Sequence, residues 1–228
     1  DLEQSLAGGQ IICKSVAVVA TDFTLPAAGA AGTLIVEDLP GASAVAVFQA
    51  GDIVRLRQFS RSAGMLTIAD AWGVVTSYTD NGDGTQTWTF TRSAGASGGS
   101  ASGVIERGTL ALDYGVSGNG YYEVSAIDGY WAQNSPYAQI VTWDTHPYGG
   151  LTVRSRLGNL RGIFAVADEF GLYAGEGVTD ADSYLRISNE AIEGHNLPVH
   201  LYDGSNITIA LEPGTYPSIA LGKPIPTG

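Results

Sequence analysis

Hydrophobic and polar positions alternate with a period of two along most of this chain. The clearest run, Thr85-Gln86-Thr87-Trp88-Thr89-Phe90-Thr91-Arg92, places Trp88 and Phe90 on one face and four threonines on the other. That is the pattern of a strand with one buried face. Its expected partner is Trp72-Gly73-Val74-Val75-Thr76-Ser77-Tyr78, because Asp80-Asn81-Gly82-Asp83-Gly84 between them is rich in residues that tolerate positive φ. Further runs cover Gly108 to Tyr114, Tyr121 to Ile127, Ala138 to Trp143, Leu151 to Leu157, Ile163 to Ala167, Tyr184 to Ser188, Leu197 to Tyr202 and Ile207 to Leu211. Nearly all are bounded by Gly, Asn, Asp or Pro, and a spacing of roughly 10 to 14 residues is that of sandwiches and barrels. Beyond residue 10 no segment carries a helical stripe over three turns. The opening, Asp1 to Gly9, has leucines four apart and then a Gly pair. It reads either as the last turns of an upstream helix or as a frayed terminus.

These elements predict an all-β chain in several parts. Residues 44–92 read as a small barrel with strands Val45 to Phe48, Ile53 to Phe59, Leu66 to Ala69, Trp72 to Tyr78 and Thr85 to Arg92. A tract of Ser, Ala and Gly over 93–103 reads as a flexible hairpin tip or linker and completes a 44–103 block. Segments 11–43 and 104–165 are expected to pair as a second, sandwich-like β domain into which the barrel is inserted. From 166 to 228 the strands shorten and the turns tighten. The apolar positions Leu185, Ile187, Leu197, Val199, Leu201, Ile207 and Ile209 are too sparse there for a thick core. They bury more readily against copies of the chain, which predicts intertwining as a homotrimer.

Composition narrows the function classes. With 228 residues the chain is long enough to bury roughly 70% of its unfolded surface. It carries 23 acidic against 11 basic residues, a formal charge of −12. Without a Lys/Arg cluster it lacks the positive track that a nucleic-acid binder needs. The 31 glycines follow no Gly-X-Y period, and the longest apolar runs are far too short for a bilayer span. The lone Cys13, among Ile11, Ile12 and Val16, reads as a small buried hydrophobe. The sequence begins at Asp1 without a basic-then-apolar leader pattern, as a piece excised from something longer would.

Candidate chemistry is sparse. Asp80-Asn81-Gly82-Asp83-Gly84-Thr85 imitates the front of a calcium loop, but position 90 is Phe and the flanks are strands, so it reads as a turn. Gly115-Val116-Ser117-Gly118-Asn119-Gly120 leads into a strand rather than a phosphate-binding helix. His146, His195 and His200 show no zinc spacing, and no Gly-x-Ser-x-Gly elbow occurs, although a triad built from distant positions has no sequence signature. No metal or other cofactor is called for. A glycosidase needs only two suitably spaced carboxylates, for which Asp128, Asp144, Asp168 and Glu169 lie near aromatics. The most suggestive feature is the aromatic cluster between 121 and 148. Trp131, Tyr137, Trp143 and Tyr148, with Asn134 and Asp144, are the candidate ligand-binding residues, since flat rings beside amides and carboxylates suit sugars. The competing reading places Tyr122, Trp143 and their neighbours in a core or a subunit interface.

The strings Gly51-Asp52-Ile53-Val54-Arg55-Leu56-Arg57, Asp70-Ala71-Trp72-Gly73-Val74-Val75, Gly171-Leu172-Tyr173-Ala174-Gly175 and Tyr184-Leu185-Arg186-Ile187-Ser188 resemble those of bacteriophage tail fibre and tail-tip (minor tail) structural proteins. The resemblance extends in style over most of residues 10–212 and rests on structural punctuation. It implies an extended β-rich virion component, a homotrimer associated with other tail proteins, that displays or supports binding to a host surface glycan. No family catalytic residue maps onto the chain, so the expectation is a structural and adhesive role. A carbohydrate-binding module and a tail-associated glycan depolymerase are the alternatives.

Overall fold

The structure, a computed structural model, describes residues 10–13, 16–38, 45–62, 65–125, 134–164, 169–179, 181–189, 191–203, 206–212 and 218–221. The expected N-terminal helix tail, Trp131, Asp128 and Asp168 fall outside them. The strands are β1 (Gln10–Cys13), β2 (Val16–Val18), β3 (Phe23–Thr24), β4 (Ala31–Glu37), β5 (Ile53–Ser62), β6 (Met65–Asp80), β7 (Thr85–Arg92), β8 (Val104–Ile105) and β9 (Leu110–Asp113). They continue as β10 (Gly120–Ser125), β11 (Tyr137–His146), β12 (Gly149–Asn159), β13 (Phe170–Gly175), β14 (Tyr184–Ser188), β15 (Ile192–His195), β16 (Val199–Asp203), β17 (Asn206–Glu212) and β18 (Ser218–Leu221). The one helical element among the described residues is a single 3-10 turn at Gly95–Gly98. The chain is all-β, as the alternation predicts.

The chain divides into two compact units. The first comprises mainly Ile12–Tyr122 with Thr142–Leu151. Its six-stranded sheet has the order β2-β9-β5-β6-β7-β4, every pairing antiparallel. A bridge between Val19 and Val36, with the Ala20 N–H donating to the Ile35 carbonyl at 2.9 Å, joins the two outer edges, so the sheet curls into a small barrel. The interior is the even-numbered face of β7. Trp88 and Phe90 are buried with Val19, Leu34, Val36, Val54, Leu56 and Val75, each such side chain stabilising the fold by ~2 kcal/mol. Phe90 meets the edge of Phe23 at 5.6 Å, and Trp88 that of Phe48 at 5.5 Å. The β6–β7 hairpin forms as the alternation predicts, with a register shift between Val75 and Tyr78 that bends the long β6 around the barrel.

Three details differ from the sequence reading. Val45 to Phe48 is not a strand. Its backbone is held instead by the buried Gln86 side chain, which accepts from the Val47 N–H at 3.1 Å and donates to the Val45 carbonyl at 2.6 Å. Leu66 to Ala69 and Trp72 to Tyr78 are one continuous strand, β6. The Gly/Ser tract after β7 is packed rather than free. The Arg92 guanidinium donates to the carbonyls of Pro26, Gly98, Gly99 and Ala101, and Gly99, at φ +76°, lies so close to the Asp70 carbonyl that a Cβ would collide with it. Hydrogen bonding also divides the chain differently from the expected segments. β2 and β4 from 11–43 and β9 from 104–165 share one sheet with β5, β6 and β7, because the barrel needs them to complete its circuit.

The second unit comprises mainly Glu123–Val141 and Thr152–Gly228. Strands β12 to β15 are successive antiparallel neighbours at one end of a seven-stranded sheet ordered β1-β10-β11-β12-β13-β14-β15. β16, β17 and β18 form a separate three-stranded antiparallel sheet. The short-strand character expected after residue 166 is present. Ile163 and Phe164, expected within a strand, contribute only an isolated bridge from Phe164 to Arg161.

Candidate functional site

The second unit turns its polar side chains inward. Arg156, on β12, donates twice to Gln139 Oε1 on β11, at 2.9 and 2.7 Å, and Gln139 Nε2 donates to Glu123 Oε2 on β10 at 2.9 Å. All three residues are buried. The amide links the carboxylate to the guanidinium. Arg156 also donates to the carbonyls of Asn159 and Arg161 and lies 4.4 Å from the Tyr137 ring centre. These bonds satisfy most of its fork, which is what keeps a buried charge tolerable. Burial and the neighbouring Glu123 carboxylate push the Tyr137 hydroxyl pKa up.

A second polar group lies on the same face. The backbone register aligns Arg156, Tyr173, Arg186 and Glu193 across β12 to β15. Arg186 bridges two carboxylates, Glu169 at 2.5 Å and Glu193 at 3.3 Å, and stands 4.6 Å from the Phe164 ring centre. Tyr184 donates its hydroxyl to Glu193 at 2.9 Å and stacks on His195 at 4.9 Å. Burial alone would raise the Glu169 pKa, but hydrogen bonds from Arg186 and Ser188 and the attraction of Arg186 hold it below the usual carboxylate value. On the same face Tyr173 and Tyr184 cluster with Leu160, and Phe164 is edge-on to both tyrosines.

Because side chains alternate across a strand, the next register row points the other way. That row is Leu157, Leu172, Ile187 and Ile192, one residue from each of four neighbouring strands. All are exposed, Ile192 by 83% and Leu157 by 61%. Phe170, two residues before Leu172 on β13, is exposed as well. The adjoining row on this face is Ser155, Ala174, Leu185 and Gly194. Neither row contains a charged residue. The polarity of the sheet is therefore inverted, with ion pairs and tyrosines inside and aliphatic side chains outside. An antiparallel sheet with one solvated face ordinarily shows the reverse.

The residues singled out from sequence are scattered. Trp143 is 1% exposed, donates its indole N–H to the Tyr114 carbonyl at 3.2 Å and offers no open face for a sugar ring. Its place in the core is the competing reading of the aromatic cluster; Tyr122, by contrast, is exposed. Asp144 and Tyr148 are exposed near the β11–β12 turn, and the Asp144 carbonyl accepts from the Ser117 hydroxyl. These three belong to the first unit, whereas Asn134 and Tyr137 belong to the second. Tyr137 is half-buried in the Glu123–Arg156 network, and Asn134 lies against Gly162. Among the depolymerase candidates, Glu169 is fully buried and paired with Arg186, so it presents no carboxylate to a substrate.

One serine–histidine contact exists that no sequence motif announces. Ser93 Oγ and His146 Nε2 are 3.1 Å apart, and the Tyr148 N–H donates to His146 Nδ1 at 3.0 Å. An accepting Nδ1 places the proton of the neutral ring on Nε2, which then donates to Ser93. A catalytic base needs the opposite arrangement, with Nε2 accepting from the hydroxyl. Burial lowers the His146 pKa and favours this neutral form, and the ring packs edge-on against Trp72 at 5.5 Å.

Among the described residues no group of three or more His, Cys, Asp or Glu could hold a metal ion, and no helix is long and apolar enough to cross a membrane. The aliphatic row was only partly legible beforehand. Ile187 and Leu185 were expected to pack against copies of the chain, but Leu157, Phe170, Leu172 and Ile192 carry no signal apart from alternation. No family model matches the sequence, and neither a curated protein nor a solved structure matches it.

Proposed function

We propose that the chain is a structural and adhesive subunit of an extended β-rich assembly, a component of a phage tail fibre or tail tip that works as a homotrimer on the virion. The observation that supports this reading is the uncharged aliphatic outer face of β12 to β15. A chain of net charge −12 has acidic side chains to spare for solvent, yet this sheet sets Glu169 and Glu193 with Arg186 on the face opposite the aliphatic rows. Its ionic groups serve as internal struts, and its aliphatic groups are left for contact. Three linked copies would present any weak host-binding surface three times, so that simultaneous engagement raises avidity without new contacts. Light scattering on the chain at micromolar concentration tests the assembly. A mass of three times 23.7 kDa is expected, and a single 23.7 kDa species would sink the reading.

Tyr148, 55% exposed beside exposed Asp144, favours a carbohydrate-binding role for the first unit as a second reading. A glycan array compared with Tyr148→Ala separates it. Loss of a specific signal supports sugar stacking at this turn, and an unchanged signal removes the turn from consideration.

A further inference from the structure

We infer that a second copy of this chain covers the outer face of β12 to β15, seating its own Leu157, Leu172, Ile187 and Ile192 against the same row. The inference rests on the reading of the chain as an assembly subunit and names a surface through which two chains pair, since a row seated on the same row is a two-fold contact. Three observations carry it.

The first is size. Leu157, Phe170, Leu172, Ile187 and Ile192 together expose on the order of 400 Å² of apolar side chain. That is the size of the largest apolar patch on a typical monomer, a patch that is often functional. It is about half of the ~800 Å² that each partner contributes to a stable interface, the share expected for an apolar centre with a more polar rim.

The second is charge. Two chains of −12 repel, and the repulsion is strongest where carboxylates face each other within a Debye length of about 8 Å. The two outward rows hold Leu157, Leu172, Ile187 and Ile192, then Ser155, Ala174, Leu185 and Gly194, with no ionised group among them. Identical acidic chains can therefore approach here without opposing charges. A basic partner would find no carboxylate on these rows to pair with. The chemistry selects an equally neutral, aliphatic surface, and the same face of another copy supplies one.

The third is shape. The four row residues stand on adjacent antiparallel strands, so they form a ridge running across the strands, with the small side chains Ser155, Ala174 and Gly194 beside it. A ridge beside a shallow trough can interlock with its own copy at the ~10 Å separation of packed sheets.

The test combines mass with accessibility on the full chain. Wild-type protein is expected to run at least as a dimer by light scattering, and Leu157→Glu with Ile187→Glu to run at 23.7 kDa with an unchanged far-ultraviolet circular dichroism spectrum. Val116→Glu, at an exposed apolar position of the first unit, should leave the mass unchanged. As a probe that does not depend on a disruptive change, Ile187→Cys in a Cys13→Ser background should react with a maleimide at least ten-fold more slowly when assembled than when diluted to monomer. A dimer mediated by this face would support the inference while sinking the trimer. A folded Glu double variant that keeps the wild-type mass overturns the inference and leaves the trimer standing. Slow labelling that persists in the monomer means that another segment of the same chain covers the face, and also overturns it.

Discussion

Both units bury charged groups, but they differ in what they leave facing water. The barrel keeps aliphatic and aromatic side chains inside, and its Arg55 is buried and paired with the partly exposed Asp70, itself bridged to Arg57. The β12 to β15 sheet buries Arg156, Glu123 and Glu169, and turns Leu157 and Ile192 outward. A sheet curled on itself has a concave interior, which a hydrophobic core fills. An open sheet has two faces, and an acidic chain can hide its ionic pairs on one while reserving the other for contact. On the proposed reading, the aliphatic face of the second unit is the one that a second copy covers.

The largest expected effect is in the barrel. Phe90→Ala removes a fully buried ring that touches Phe23, and should destabilise the fold by about 4 kcal/mol in urea denaturation. A loss under about 1 kcal/mol would mean that the barrel core is not what holds the first unit together.

Next comes the relay of the second unit. Arg156→Met strips Gln139 of two hydrogen bonds and leaves Glu123 buried without its distant countercharge, a loss of about 3 kcal/mol. Combined with Glu123→Gln, the two changes should fall short of additivity by about 1 kcal/mol or more. Strict additivity in the double-mutant cycle would show that the amide transmits nothing between the charges.

Smaller still is the effect of charge on the outward row. In the dissociated chain, Leu157→Glu should change stability by less than about 0.5 kcal/mol, since the side chain already faces water. Leu34→Glu, in the barrel interior, should prevent folding. Equal damage from the two would erase the distinction between the units.

The mildest test is acid. His146 has a folded pKa below its ordinary value of about 6.5, so its contribution is fully present above that pH and is lost as pH falls toward the folded pKa. Glu169, whose folded pKa is held below the ordinary carboxylate value, contributes above that ordinary value and loses its share only as pH falls through the folded pKa. Urea midpoints measured from pH 7 to 3 should therefore decline first through the barrel's histidine. His146→Gln should flatten the part just below pH 6.5, and an undiminished slope there would assign it to other groups.

Local pattern made the β6–β7 hairpin legible, because Trp88 and Phe90 alternate with threonine and Asn81-Gly82 lies in the turn. It failed for Val45 to Phe48, whose backbone partner is the side chain of Gln86, far along the chain. It failed likewise for the Gly/Ser tract, whose carbonyls are gathered by Arg92. In both cases one long polar side chain replaces a strand neighbour, and no period in the sequence records that. The aromatic cluster divides for a related reason. Trp143 and Tyr148 are five residues apart, yet one is core and the other surface.

What the sequence determined by itself is the all-β class, the main hairpin and a chain with many acids and few bases, since these follow from alternation, turn residues and counting. Tertiary structure decided which parity of each strand faces inward. In β13 and β14, Tyr173 and Tyr184 alternate with Leu172 and Leu185, so both faces read as apolar. The register that aligns Arg156 with Tyr173, Arg186 and Glu193 makes one face polar and paired, which leaves the aliphatic row outside. A one-residue slip would exchange the two faces, so the outward face exists only once the strands have paired.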